Sequence, residues 1–429
     1  MDGRSRKQIA ESGVKSMNSR ERVLTSINHK EPDRVAIDLG STPSSGISAI
    51  AYNNLKKYLG IQTGHNRVYD VVQQVSQPEE EILDRFGIDV IDIGRAFNTA
   101  DSDWYKVKLP DGSSAEYPAW FRPLVQPDGS FHAFLADGTL VGKMPVGATF
   151  FDQTAFPYLD GFPSDYSGLS EAMGKVVWQA LAHSPWDNAG NPGFWQQLRE
   201  KALYLRENTD RALMIVCGCN LFEWGTFLRR MDNFLMDLYL EPEEVERLLD
   251  ALMEKHLATL EKVCNAVGDI VDILRFGDDL GMDSGPFMAP EVYRKLFKPR
   301  HKMLCDYVKK HSGMKTFLHS CGSIYKLLPD LIEAGYDIIN PVQTTCHEME
   351  PEKLKKEFGS DIVFWGGGSD TRHILNRGNP AQVKEDVKRR LEIFAPGGGF
   401  VFNPIHNIMP DVPPANIAAM FEAVDEFYR

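Results

Sequence analysis

Short buried runs alternating with amphipathic helices predict an α/β chain, and eight such runs ending in a final helix predict a (β/α)8 TIM barrel. Asp-Gly turns between residues 104 and 151 add a small antiparallel β insertion to that prediction. The polar and metal-capable residues fall at the exits of the strands, where a barrel keeps its chemistry. No Gly-x-Gly-x-x-Gly follows the first strand, which disfavours an open doubly wound sheet.

In order along the chain, residues 1–16 are polar and aperiodic and are expected as a loose N-terminal extension, and residues 17–429 as one barrel opened by a helix. Ser19 reads as the N-cap of that helix, which runs to about Asn28; Glu21 lies only two residues on, so the full capping box is not expected. Pro32 breaks the chain before the first strand, 35–37. Helices over 47–58 and 79–86 precede the second strand, 89–93. Pro110-Asp111-Gly112, Pro127-Asp128-Gly129 and Ala136-Asp137-Gly138 then punctuate the insertion, whose aromatic residues Tyr105, Tyr117, Trp120 and Phe121 suit a pocket lid. The remaining strands are expected over 213–216, 271–274, 316–318, 337–339, 362–365 and 400–402. Helices between them cover 221–238, 242–266, 290–311, 324–334, 351–358 and 380–394, and a last one, capped by Asp411, covers 413–427.

Composition excludes several classes. A net charge of -13 is wrong for nucleic acid or an anionic membrane surface. No apolar run approaches the roughly 18 residues of a membrane span. Six cysteines in 429 residues are too few for a disulfide scaffold and fit a reduced, cytoplasmic setting.

The exits carry the candidates. Strand five leaves through His319-Ser320-Cys321-Gly322, and strand eight through Asn403-Pro404-Ile405-His406-Asn407. His319, Cys321 and His406 read as three ligands of a catalytic zinc, which keeps a fourth position open; the other reading is a hydrogen-bonding wall histidine and a buried thiol. Strand four exits into Gly277-Asp278-Asp279, and Glu223 follows the third exit, so Asp278, Asp279 and Glu223 are candidate acids and bases, or helix caps. Gly366, Gly367 and Gly368 leave strand seven as an open floor for a bulky ligand, or as a phosphate cradle. Cys217 and Cys219 read as structural filler, and Cys346-His347 as a spare metal pair.

Several segments resemble the uroporphyrinogen decarboxylase superfamily. They are Met17 to Val23, His29 to Arg34, Gly277-Asp278-Asp279-Leu280-Gly281, His319-Ser320-Cys321-Gly322, Trp365-Gly366-Gly367-Gly368, and His406-Asn407-Ile408 with Pro410-Asp411-Val412-Pro413-Pro414. The resemblance implies a (β/α)8 barrel. Its decarboxylases clamp a polycarboxylate with arginines after strand one, where this chain has Gly40-Ser41-Thr42-Pro43-Ser44-Ser45. Its other branch, the corrinoid-dependent methyltransferases, implies zinc on the His-x-Cys pair and a later Cys, for which this chain has His406. The expectation is therefore a zinc enzyme that moves a methyl group from a small methylated substrate, with a methoxylated aromatic compound as the favoured case, to cobalamin. Asp278, Asp279 and Glu223 would act on protons, and Gly366, Gly367, Gly368 and Asn407 would face the corrin. No Asp-x-His-x-x-Gly pattern occurs, so the cobalamin is expected on a corrinoid partner protein. A metal-free decarboxylase, a coenzyme M type thiol methyltransferase and a non-catalytic scaffold are the alternatives, and a homodimer is left open.

Overall fold

The computed structural model describes residues 16–429, so all but Ser16 of the expected N-terminal extension lies outside the described residues. Eight strands form one sheet: Ala36–Ile37, Val90–Asp92, Ala212–Gly218, Ile273–Gly277, Lys315–His319, Ile338–Asn340, Val363–Trp365 and Phe400–Phe402. Every pairing is parallel, from the second strand through the eighth and back to the first. At the remaining seam, Asp89 donates its backbone N–H to the Ile37 carbonyl at 2.8 Å, and its carboxylate accepts from the Ile37 N–H at 2.9 Å. The sheet is thus a nearly closed (β/α)8 barrel.

The two-residue period of the strands divides the core. Ala36, Val90, Met214, Ile273, Phe317, Ile338, Val363 and Val401 pack together inside the barrel. Ile37, Ile91, Leu213, Leu274, Leu318, Ile339, Phe364 and Phe400 pack outward with the helices. Each such side chain contributes about 1.5–3 kcal/mol when fully buried. The longest helix, Pro242–Val267, shows why helices cover the strands: Val245, Leu248, Leu249, Leu252, Leu260 and Val263 make one apolar stripe.

Local chemistry shifts several expected boundaries. The first helix is Ser19–Ile27, and its cap is Asn18, not Ser19. From Asn18, Glu21 is the third residue, so the full capping box forms after all. The run over 221–238 is two helices, Phe222–Arg229 and Met231–Leu240, because Arg230 adopts φ +67° between them. The run over 290–311 divides into Pro290–Leu296 and Lys298–His311; Pro299 has no N–H to carry the ladder across. Pro413, not Asp411, precedes the last helix, Pro414–Phe427, and no side chain caps it.

The insertion is antiparallel throughout. Trp104–Lys108 pairs with Ser114–Pro118, and Leu124–Val125, Phe131–Phe134, Leu140–Met144 and Asp152–Gln153 form a four-stranded sheet. Gly112, Gly129 and Gly138 take φ of +82°, +87° and +87° at its turns, a region that glycine enters without strain. Tyr117, Phe121, Val141, Met144 and Phe151 form its core together with Val68, Val71, Val72 and Val177 from the flanking segments. Among the described residues, no helix is long and apolar enough to cross a membrane.

Candidate active site

In six of the eight strands the inward apolar residue is followed, two positions on, by a polar one. Ala36 leads to Asp38, Val90 to Asp92, Ile273 to Arg275, Phe317 to His319, Ile338 to Asn340 and Val401 to Asn403. The apolar plug of the barrel thus gives way to a polar floor within one period. Loops from the strand exits stand above that floor.

His319, Cys321 and His406 converge there, with one ligand atom from each inside 4.8 Å of the others. His319 Nε2 lies 3.4 Å from Cys321 Sγ, and the two imidazole rings are 5.4 Å apart. The backbone explains the approach. Gly322 has φ +84°, and a Cβ there would meet the Gly281 backbone at 2.2 Å, so only glycine lets the strand-five exit press against the strand-four exit.

Both histidines are oriented by amides. The Asn340 Nδ2 donates to the Trp365 carbonyl at 2.9 Å, which leaves Oδ1 to accept from His319 Nδ1 at 2.6 Å. His406 Nδ1 likewise lies 2.9 Å from Asn407 Oδ1. Each Nε2 therefore carries its lone pair toward the cluster, as metal-binding imidazoles do. Burial, with the charges of Arg275 and His406, holds His319 well below its usual range, and burial lowers His406 too. Burial, then the charges of Asp279 and Glu223, pushes the Cys321 thiol up. Neutral imidazoles and a thiol that only a cation would ionise make a donor set that fits zinc.

Two carboxyls border the cluster. Asp279 Oδ1 accepts from the Cys321 N–H at 2.8 Å and lies 3.7 Å from His319 Nε2. Glu223 accepts a hydrogen bond from Asn220 Nδ2, and burial, then the nearby charges of Asp279 and Asp278, holds its carboxyl well above its ordinary range. Glu223, Asp279, His319 and His406 line one cavity of about 450 Å³, walled by Trp186, Trp195, Trp224 and Phe227. Cys321 and His406 line a second, of about 390 Å³, with Met282, Gln343, Thr371 and Arg372. His406 is part of the partition between them.

Other expected residues stand elsewhere. Asp278 is buried and accepts from the backbone N–H groups of Phe222 and Glu223 at 3.0 and 2.9 Å, and from His301 Nε2 at 3.1 Å. It anchors the helix that presents Glu223 and lines neither cavity. The glycines after strand seven are no open floor: a Cβ on Gly366 would meet the Pro341 carbonyl at 2.1 Å, and one on Gly368 the Phe402 ring at 2.6 Å. Cys346 Sγ instead bonds Asp283 at 3.3 Å, apart from the ligand cluster. The insertion's aromatics line neither cavity; Tyr117 and Phe121 fill its core, and Trp120 Nε1 donates to Asp187. The segment after the insertion instead lines the deeper cavity, through Met173, Trp178 and His183.

Arg275 went unnoticed in the sequence because it interrupts the fourth strand as one cation in an apolar run. The period-two pattern could have found it: with Ile273 inside, Arg275 must also face inward.

Residues 221–427 match the family described as Uroporphyrinogen decarboxylase (URO-D). The uroporphyrinogen decarboxylase of Pseudomonas fluorescens (strain Pf-5) is 27% identical over 192 residues, 44% of this chain and 50% of that one. The enzyme of Methylococcus capsulatus (strain Bath) is 33% identical over 100 residues, 23% of this chain and 27% of that one. The chain thus spans half or less of the length of these curated relatives. Among solved structures, a methyltransferase from Methanosarcina mazei aligns with a TM-score of 0.57 at 16% identity, over 96% of this chain and 100% of that one, a likeness of fold. The family match over the second half of the chain and the curated relatives support the superfamily resemblance, and the solved structure supports the barrel fold. Glu223, Asp279, His319, Cys321 and His406 all fall inside the matched segment.

Proposed function

Starting from a relative of the uroporphyrinogen decarboxylase superfamily, we propose a corrinoid-dependent methyltransferase. It moves a methyl group from a small methylated substrate, foremost a methoxylated aromatic compound, to the cobalamin of a separate corrinoid protein. The observation that carries this reading is the convergence of His319, Cys321 and His406 on the partition between two cavities.

His319, Cys321 and His406 would hold a zinc ion, which would supply Lewis acidity to the heteroatom that gives up its methyl. That heteroatom keeps the electron pair of the broken bond and needs a proton. Glu223, whose carboxyl burial and the charge of Asp279 hold well above its ordinary range, is the donor. Asp279, fixed by the Cys321 N–H, steadies the cluster from the strand-four side. The tryptophans of the deeper cavity hold the substrate's apolar body and exclude water. The shallower cleft, rimmed by the exposed Met282 and Arg372, is the face open to a partner. Asn407 serves that face through His406, and Gly366, Gly367 and Gly368 support it from behind.

The test is metal content by elemental analysis of the purified protein, with methyl transfer to chemically reduced cobalamin followed by absorbance. Zinc bound to the wild type, with zinc and transfer both lost in folded His319→Ala and His406→Ala, is the expected result. Full transfer after chelation and in both variants would sink the proposal. The decarboxylase reading is favoured by the names of the curated relatives; release of carbon dioxide from uroporphyrinogen with no corrinoid present would establish it. Methylation of coenzyme M from methylcobalamin would place the chain among the thiol methyltransferases.

A further inference from the structure

The polar floor holds one cation that the fold does not use. Arg275 stands in the fourth strand two residues after Ile273, on the inward face, and lines the deeper cavity. Its Nε is sealed from solvent and has no hydrogen-bond partner. Among the described residues the one hydrogen bond of its side chain runs from Nη2 to Ser44 Oγ at 3.4 Å. Among the described residues no carboxylate lies within the 4.0 Å of an ion pair. Arg275 is half-buried, and the two fully buried arginines differ from it: Arg22 holds Asp33 and Asp89 at 2.7 Å each, and Arg229 holds Asp237 at 2.8 Å. A guanidinium drawn into a protein without a counter-charge is costly unless an anion joins it.

The sequence makes room for its tip. Gly277, two residues on and on the same face, has no side chain; a Cβ there would stand 3.0 Å from Arg275 Nη1 and 2.9 Å from Asn220 Nδ2. Gly277 pairs with His319 in the ladder. The guanidinium therefore rises past Gly277 to the level of the ligand cluster, one strand away from His319. The charges of Glu223 and Asp279 are felt at Arg275, but neither carboxyl comes within ion-pair distance of it; Asp279 Oδ1 accepts from the Cys321 N–H and Glu223 from Asn220.

We propose that Arg275 is an anion-binding subsite of the deeper cavity, and that the substrate carries a carboxylate. The planar fork of a guanidinium matches a carboxylate's two oxygens. The surrounding tryptophans and Phe227 suit an apolar or aromatic body attached to it. This rests on the methyl-transfer reading only for which end of the molecule reacts; the charge selectivity follows from Arg275 itself.

Binding is measured on the metal-loaded protein by calorimetry, with no corrinoid present. The carboxylate probes are 4-methoxybenzoate and methoxyacetate; 4-methoxybenzyl alcohol and 2-methoxyethanol are their uncharged counterparts. At least one carboxylate should bind about tenfold or more tighter than its counterpart. The preference should vanish in Arg275→Gln with bound zinc unchanged, and return in part in Arg275→Lys. Equal affinity within both pairs, or no binding of either carboxylate at millimolar concentration, overturns the subsite, whether or not the variants fold. So does a preference that survives Arg275→Gln, or a variant that loses zinc instead of the preference. Charge-selective binding without methyl transfer to reduced cobalamin would retain the subsite and remove the methyltransferase reading; transfer without charge selectivity would do the reverse.

Discussion

The Asn340 amide holds His319 from behind: its Oδ1 accepts from Nδ1 at 2.6 Å while its Nδ2 is anchored on the Trp365 carbonyl at 2.9 Å. One strand thereby sets the tautomer of a residue on the next. Replacing Asn340 with Leu leaves the imidazole free to turn or change tautomer. Zinc affinity should fall about 10–100-fold, measured by competition with a chromophoric chelator. Unchanged affinity would show that the amide does not orient a ligand.

Glu223 is expected to work as an acid because burial and Asp279 keep its proton on. Raising the pH through its elevated pKa removes that proton, so activity should decline on the alkaline side. Glu223→Gln should lower the methyl-transfer rate by about a hundredfold to ten-thousandfold and abolish that decline. A variant with the wild-type rate and pH profile would clear Glu223 of the role.

Asp38 offers a test of linkage away from the ligands. Burial pushes its carboxyl from 3.8 up to about 6, against the hydrogen bonds from Trp365 and Ser41. Between those values the folded chain keeps a proton that the unfolded chain has released. Stability from this group is therefore greatest below about pH 4 and falls by about 3 kcal/mol as the pH rises past 6. Urea denaturation at several pH values should show this falling component in the wild type and its loss in Asp38→Asn.

Gly366 separates a packing role from a docking role. It has φ +119°, and a Cβ would collide with the Pro341 carbonyl. Gly366→Ala should destabilise the chain by about 3 kcal/mol in thermal unfolding. Unchanged stability with weakened corrinoid-protein binding would instead make the glycine a docking surface.

Asn18 gives a smaller, local prediction. Its side chain accepts from the Glu21 N–H at 2.8 Å, and Asn18→Ala should cost about 1 kcal/mol in the same measurement.

The barrel was legible because its strands are short apolar runs and its helices carry caps, prolines and stripes. The convergence of His319, Cys321 and His406 was legible too, since they sit at strand exits that the topology must bring together. Asp278 and Asp279 were not separable in advance. Adjacent carboxyls on a turn face different neighbours, and only the fold shows that Asp278 takes helix amides while Asp279 borders the cluster. The insertion's aromatics misled for a related reason: a small sheet needs a core, and Tyr117 and Phe121 are spent on it. Arg275 was hidden by its apolar neighbours, although the inward face of its strand was already implied by Ile273.

The partition at His406 has a kinetic consequence. The deeper cavity is lined in part by the exposed Trp178 and Lys255, the shallower cleft by the exposed Met282 and Arg372. On the proposed methyl transfer, a substrate in one cavity and a corrinoid at the other would not compete for space, and neither would have to depart before the other arrived. Initial-rate plots against the two should intersect rather than run parallel, and a dead-end occupant of one cavity should leave the other free to fill.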